Sequence, residues 1–304
     1  MKIVFSDDKL TLSEKKKIEE LVIDSGKINY KELQLDDLEK IILTNDYFEE
    51  VESAWLRIGK EGKGASNNDA GQGLGIAISN KPLDKNAKST VLINENQWRN
   101  LLGDDEKMLE CCIHVINHEL CHVHDDTYKH GKIYSKDMKE GDLNDLKFKL
   151  RCEADSVWGE YIAERMSSGT VTKEFIYGEQ NTLYNILKKI FEINEKNNVF
   201  ILRDMTKNRN QGEFKFYIEY ALRSFAHLQG IMHGLGKNHD WSKMIDSYLR
   251  NWLNGHGLVE VWDRMGMNLD CLYKIYPDWS DIDQLDDLGN CIRESWKCFG
   301  YDNI

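Results

Sequence analysis

An amphipathic helix with acidic and imidazole side chains in its middle is the feature that most constrains this chain. Between about Asp105 and His124, apolar residues recur three and four positions apart, which predicts a helix packed against a core. The HExxH pattern interrupts this helix, with His118 and His122 on either side of Glu119. Because four residues make just over one helical turn, both imidazoles leave the same face and can reach one ion. The sequence therefore predicts a metal site on this helix.

The three residues of the pattern suggest hydrolytic chemistry. Zinc held by His118 and His122 would lower the pKa of a bound water towards ~7. The carboxylate of Glu119 would then take a proton as that water attacks a polarised carbonyl. The pattern fixes only three positions, so its context decides whether it is a site. We expect His118 and His122 to be metal ligands and Glu119 to be the general base.

The surroundings of this helix predict an α+β chain. A strand opens the chain, and a helix follows that begins with Thr11 and Glu14 at capping-box spacing. A further strand and helix precede a glycine-rich segment from Gly59 to Gly75. The stretches "GIAISN" and "STVLINENQW" read as strands directly before the HExxH helix. A second helix carries glutamates and ends near Gly169, and from about residue 180 the pattern is mostly helical. We expect one domain over residues 1–175 and a helical region over residues 176–304.

Two strands, an HExxH helix and a second helix bearing glutamates together resemble the zincin metallopeptidases, and most closely their gluzincin branch. The resemblance covers roughly residues 75–168. It implies a zincin-like fold, a zinc cofactor, hydrolysis of peptide bonds and a third ligand glutamate on the second helix. It also implies that the strand "STVLIN" holds an extended substrate along its edge by backbone hydrogen bonds.

Three residues compete for the role of third ligand. Glu160 is followed four residues later by Glu164, which resembles the gluzincin arrangement of a ligand glutamate and an acidic group that orients a ligand histidine. Glu153 lies in an "EAD" element like those of several zincin families, but the ligand position four before the aspartate is Arg151 here. His130 follows the HExxH pattern at a spacing that departs from the families with a third histidine. We expect Glu160 to be the ligand.

Other polar residues receive simpler interpretations. His114, one turn before the first predicted ligand, is expected to be satisfied by solvent or backbone. The HExxH helix is expected to end near His124, with Asp125 and Asp126 at its rim, and Cys121 is expected in the core. A peptidase also needs a group that stabilises the oxyanion. Nothing in the sequence selects among the candidates Tyr161, Tyr177, His227 and His233.

Composition limits the partners and the compartment. The formal net charge is -12, from 52 acidic and 40 basic residues, so the average electric field repels nucleic acid and anionic membranes. The chain shows no signal peptide pattern and no long apolar run. Seven scattered cysteines suit a reducing compartment. We therefore expect a cytoplasmic protein that acts on a protein or peptide substrate and binds neither nucleic acid nor membrane.

The expected function is that of a zinc metalloendopeptidase with a restricted intracellular protein substrate, in which the helical region restricts or recruits that substrate. Two alternatives stay open. One is an inactive zincin-like binding module, whose structural metal would be closed by four protein ligands such as Glu160 and His130 in addition to the histidine pair. The other is a helical interaction protein in which HExxH arose by chance.

Overall fold

A computed structural model describes residues 2–7, 9–29, 33–61, 67–68, 71–80, 86–130, 133, 145–200 and 207–301. The strands among them are β1 (Ile3–Phe5), β2 (Leu38–Thr44), β3 (Asn67–Asn68), β4 (Gly71–Gln72), β5 (Gly75–Ser79) and β6 (Ser89–Asn94). The α-helices of the same residues are α1 (Leu12–Asn29), α2 (Tyr47–Arg57), α3 (Glu95–Trp98), α4 (Glu106–Lys129), α5 (Leu146–Ser167), α6 (Lys173–Phe200), α7 (Lys207–Leu235), α8 (Asp240–Asn254), α9 (Val259–Ile275) and α10 (Asp286–Cys298).

The chain forms two compact units. The first unit consists of Met1–Glu140 and Ile162–Phe175, and the second of Gly141–Tyr161 and Ile176–Ile304. Helix α5 contributes residues to both. The domain boundary expected near residue 175 stays a prediction.

A small mixed sheet lies at the centre of the first unit. Its strand order is β1-β2-β6-β5, with β1, β2 and β6 parallel and β5 antiparallel to β6. This sheet and the helices confirm the α+β class. The expectation that "STVLIN" offers a free edge is wrong, because β6 pairs with β2 on one side and with β5 on the other. In the part of the chain that the structure describes, β5 is the edge strand on this side of the sheet.

Helix α4 covers one face of the sheet. Its apolar stripe, including Cys112, Ile116 and Leu120, belongs to one buried cluster with Ile41 and Val91 of the sheet. The helix α2 packs on other residues of the sheet through a separate cluster, formed by Tyr47, Val51, Ile78 and Leu92. The strands are thus buried on both faces, which explains their β-branched composition.

Local sequence signals set the ends of these elements. Thr11 and Glu14 form the predicted capping box of α1, since the Thr11 backbone N–H donates to the Glu14 carboxylate at 2.7 Å and the Glu14 N–H donates to Thr11 Oγ1 at 3.3 Å. Asp105 caps α4 by accepting from the backbone N–H groups of Lys107 and Met108. The capping motifs that are visible in the sequence therefore operate in the fold.

The predicted end of the HExxH helix near His124 is wrong, because α4 continues to Lys129. The side chains of His124 and Asp125 are buried and do not form a rim. The Gln34 backbone N–H donates to His124 Nδ1 at 2.7 Å, and Lys129 Nζ lies 2.6 Å from Asp125 Oδ2. A tertiary partner for His124 and an ion pair one turn apart within α4 thus accompany the helix beyond the point at which its polar residues begin.

The second unit is helical in its described residues. Trp158 is fully buried, and its ring lies 4.7 Å from that of Trp279. Arg151 on α5 donates to Asp286 at the start of α10 at 2.6 Å, which joins the first and last helices of this unit. No helix among the described residues is long and apolar enough to cross a membrane.

The glycine-rich segment is only partly described. Its residues 67–68 and 71–72 form the short antiparallel pair of β3 and β4. Residues 62–66 and 69–70 of this segment lie outside the described residues.

Candidate metal centre

The two histidines of the HExxH pattern converge on one point. The Nε2 atoms of His118 and His122 lie 3.0 Å apart, and their rings meet nearly edge to face. Two imidazoles on one tetrahedral zinc, at Zn–N distances of about 2.0–2.1 Å, would place their nitrogens roughly 3.3 Å apart. The observed separation is close to that value, so the histidine pair fits a shared divalent ion.

A buried carboxylate fixes the orientation of the first histidine. Glu164 Oε1, on α5, lies 3.1 Å from Nδ1 of His118. A carboxylate at this distance accepts the Nδ1–H of the ring, so Nε2 keeps its lone pair and faces His122. This is the tautomer that a metal ligand requires. The expectation that an acidic residue on the second helix would hold a ligand histidine therefore has a structural counterpart in Glu164.

The carboxylate of Glu164 is itself held on its other side. Glu164 has no exposed surface, and its Oε2 lies 3.2 Å from Nε2 of His114. Burial raises the pKa of Glu164, but the charges and hydrogen bonds of His114 and His118 together hold it well below its usual range. Glu164 is therefore an anion between two imidazoles. The expectation that solvent or backbone satisfies His114 is wrong, because its ring is fully buried between Glu164 and Thr170.

Glu119 lies against the edge strand of the sheet. Its side chain is buried, and it passes so close to Gly75 that a Cβ atom there would lie 2.8 Å from Glu119 Cγ. Gly75 is the first residue of β5. Glu119 thus stands beside the strand whose outer edge is free of partners among the described residues.

Tyr47 is a further residue in the surroundings of Glu119. Its side chain is 3% exposed, and its hydroxyl has no hydrogen-bond partner among the described residues. Burial, followed by the negative charge of Glu119, raises the pKa of Tyr47 far above its usual range. Tyr47 therefore stays a neutral phenol near the candidate base.

The candidate third ligands have separate surroundings. In the second unit, Glu160 Oε2 lies 3.2 Å from Nε2 of His227. Burial and the charge of Glu219 raise the pKa of Glu153 to about 7. In the first unit, His130 is buried with its Nδ1 3.5 Å from Asp37 Oδ2, and burial lowers its pKa although Asp37 raises it.

The candidate oxyanion groups also differ in their surroundings. Tyr161 is fully buried and its hydroxyl lies 2.8 Å from Nδ1 of His233. Tyr177 is 44% exposed. His227 contacts the carboxylate of Glu160, one of the predicted ligands. Cys121 is buried as expected, and burial raises the pKa of its thiol, which makes it unreactive.

Sequence reasoning gave no functional role to three residues of the site. His114 lies one turn before His118, and this spacing is the signal for its role, although the sequence analysis assigns it to solvent or backbone. Gly75 and Tyr47 had no such signal, because their relation to Glu119 depends on the pairing of β5 and on the packing of α2.

Comparisons with protein-family models, curated protein sequences and solved structures gave no match, so they show no family for this chain.

Proposed function

We propose that the chain is a zinc-dependent metalloendopeptidase with a zincin-like fold. The observation that carries this proposal is the convergence of Nε2 of His118 and His122 at 3.0 Å, with Glu164 fixing the tautomer of His118. Burying the charged carboxylate of Glu164 beside His118 costs free energy. If the histidine pair had arisen by chance, nothing would require that buried charge. This argues against the alternative of a helical interaction protein.

Glu160 is the third ligand in this proposal, on the basis of its sequence position before Glu164, as in the gluzincin branch. Glu160 precedes Glu164 by one turn on α5, and residues four apart lie on the same helical face. The face of α5 that presents Glu164 to His118 thus carries a second carboxylate one turn earlier. Carboxylate oxygen and two imidazole nitrogens form the ligand set of known catalytic zinc sites.

The site is proposed to be open and catalytic. A structural site would need a fourth protein ligand. His130, the candidate for that position, has Asp37 as its neighbour instead. Three protein ligands leave a position for water or substrate, which favours an enzyme over an inactive binding module.

The remaining residues supply the steps of hydrolysis. Zinc, when bound, supplies Lewis acidity towards a water molecule and the substrate carbonyl. A carboxylate oxygen of Glu119 takes the proton of the attacking water and delivers it to the leaving amine nitrogen. His227, whose Nε2 lies 3.2 Å from Glu160 Oε2, orients the proposed third ligand.

The edge strand β5 is the proposed binding site for the substrate backbone. A peptide in extended form would add to the outer edge of Gly75–Ser79 by main-chain hydrogen bonds. Because Glu119 lies against Gly75, a peptide bond bound at this end of the strand would be next to the base. The substrate is proposed to be a restricted intracellular protein.

The test is hydrolysis of a peptide library by zinc-loaded protein, read by mass spectrometry of the products. Glu119→Gln is the matched control, because it preserves the shape of the side chain and removes its basicity. We expect cleavage at a small set of sequences, with a rate that falls by roughly 10²–10⁴-fold in Glu119→Gln. Equal cleavage by both proteins would overturn the assignment of the base. Broad digestion of unfolded casein would contradict a restricted target.

A further inference from the structure

The carboxylate of Glu164 uses both of its oxygens inside the first unit. Oε1 lies 3.1 Å from Nδ1 of His118, and Oε2 lies 3.2 Å from Nε2 of His114. Glu164 and His114 are both fully buried, so water does not reach either contact from solvent. A carboxylate that is anchored at one oxygen alone can rotate about its terminal bond, whereas one that is anchored at both cannot.

His114 is fixed in turn on its other side. Its Nδ1 lies 3.2 Å from Oγ1 of Thr170, and its ring packs edge-on against Phe175 at 4.3 Å between ring centres. Thr170 itself donates from Oγ1 to the backbone carbonyl of Ser167 at 2.8 Å, in the 3₁₀ turn after α5. The His114 ring therefore has Glu164 on one side and Thr170 and Phe175 on the other, and none of these three residues is a predicted metal ligand.

We propose that His114 is a positioning residue: by holding Oε2 of Glu164, it directs Oε1 to the Nδ1–H of His118 and keeps Nε2 of His118 free to bind the metal. The proposed effect of His114 on metal binding rests on the proposed function, whereas its effect on the tautomer of His118 does not. His114 acts through Glu164 and has no assigned contact with substrate.

The physical reason lies in the burial of Glu164. If His114 lost its hydrogen-bonding nitrogen, Oε2 would be a buried charged oxygen without that partner, which is unfavourable. The carboxylate would then be free to turn, and this rotation weakens its acceptance of the Nδ1–H of His118. His118 would no longer be restricted to the tautomer that a ligand needs.

The test compares His114→Phe, which keeps a flat ring but no polar atom, with His114→Gln, whose amide nitrogen can replace Nε2. Nitrogen-15 NMR of histidine-labelled, metal-free protein reports which nitrogen of His118 carries its proton, and a His118→Gln sample identifies the signal. We expect His118 to be protonated at Nδ1 in the wild type and in His114→Gln. In His114→Phe we expect a mixture with the Nε2–H form.

Zinc affinity, measured by competition with a chromophoric chelator, gives the second readout. We expect roughly a 10–100-fold loss in His114→Phe and an affinity near the wild-type value in His114→Gln. If the role of His114 were merely structural, both variants would lose thermal stability, and their zinc affinities would not differ from each other. If His114→Phe does not fold, Thr170→Val replaces it, with a smaller loss of the same kind.

Two results would overturn the proposal. One is wild-type protein whose His118 carries its proton on Nε2. The other is a folded variant, His114→Phe or its replacement Thr170→Val, with an unchanged His118 tautomer. A wild type that binds no zinc but keeps His118 in the Nδ1–H form would refute the proposed enzyme and still support the positioning role.

Discussion

Gly75 and Glu119 are in such close contact that no larger residue fits at position 75 without displacement. A Cβ atom on Gly75 would lie 2.8 Å from Cγ and 3.0 Å from Oε1 of Glu119, and 3.1 Å from Cδ1 of Ile93. Ile93 belongs to the buried core of the first unit, so Glu119 is the group that can move. Glu119, the candidate base, can therefore occupy its observed position only because residue 75 has no side chain.

Gly75→Ala should therefore impair catalysis and leave the metal in place. A displacement of the carboxylate by a fraction of an ångström should lower kcat by roughly 10–100-fold. The zinc content should not change, because the substitution does not contact either histidine of the pattern. Steady-state kinetics together with elemental analysis check both expectations.

Gly169→Ala is the matched control, since a Cβ atom there meets nothing within 4 Å. Its kcat should equal that of the wild type. Unchanged kcat in Gly75→Ala, or loss of zinc from it, would show that the contact with Glu119 does not have this role.

Glu153 should make stability depend on pH. Its pKa is raised from 4.5 to about 7, first by burial and then by the charge of Glu219. Between these values the folded state binds a proton that the unfolded state does not, so the free energy of unfolding falls as pH rises from about 4.5 to 7. Glu153→Gln should remove this loss, which is on the order of 2 kcal/mol.

Urea unfolding at pH 5 and pH 8 measures the effect through the shift of the midpoint. The control is Glu213→Gln on the same unit, where the side chain is exposed; this variant should follow the wild type. If Glu153→Gln and the wild type lose the same stability between the two pH values, Glu153 does not hold the extra proton.

His227→Ala should weaken zinc binding. His227 Nε2 lies 3.2 Å from Oε2 of Glu160, the proposed third ligand, so its removal should lower zinc affinity by roughly 10–100-fold. Tyr177→Phe, at an exposed position, should leave the affinity unchanged. Competition with a chromophoric chelator provides the measurement; a His227→Ala variant with wild-type zinc affinity would exclude this role for His227.

Local sequence signals predicted a large part of the fold. The capping box of Thr11 and Glu14, the strands on either side of residues 81–85 and the apolar stripe of α4 depend on neighbours along the chain, and the structure confirms them. The convergence of His118 and His122 was predictable for the same reason, because helical geometry alone places residues four apart on one face.

Features that depend on distant segments could not be read from the sequence. The inner position of β6 follows from its pairing with β2, which is far away in the chain. The pairing of His114 with Glu164 requires α4 and α5 to meet at one register, and the helical period does not specify that register. Glu153 and Glu219 are neighbours only in the folded second unit, so the sequence could not show that the charge of Glu219 raises the pKa of Glu153.

The most direct measurement is the metal content of purified protein by elemental analysis, in the wild type and in Glu160→Ala, Glu153→Ala and His130→Ala. We predict about one zinc per chain in the wild type, loss of that zinc in Glu160→Ala alone, and retention in the other two variants. A wild type that holds no zinc after zinc is supplied would contradict the proposed metal centre. Retention of zinc by Glu160→Ala, with loss from either of the others, would contradict the assignment of the third ligand.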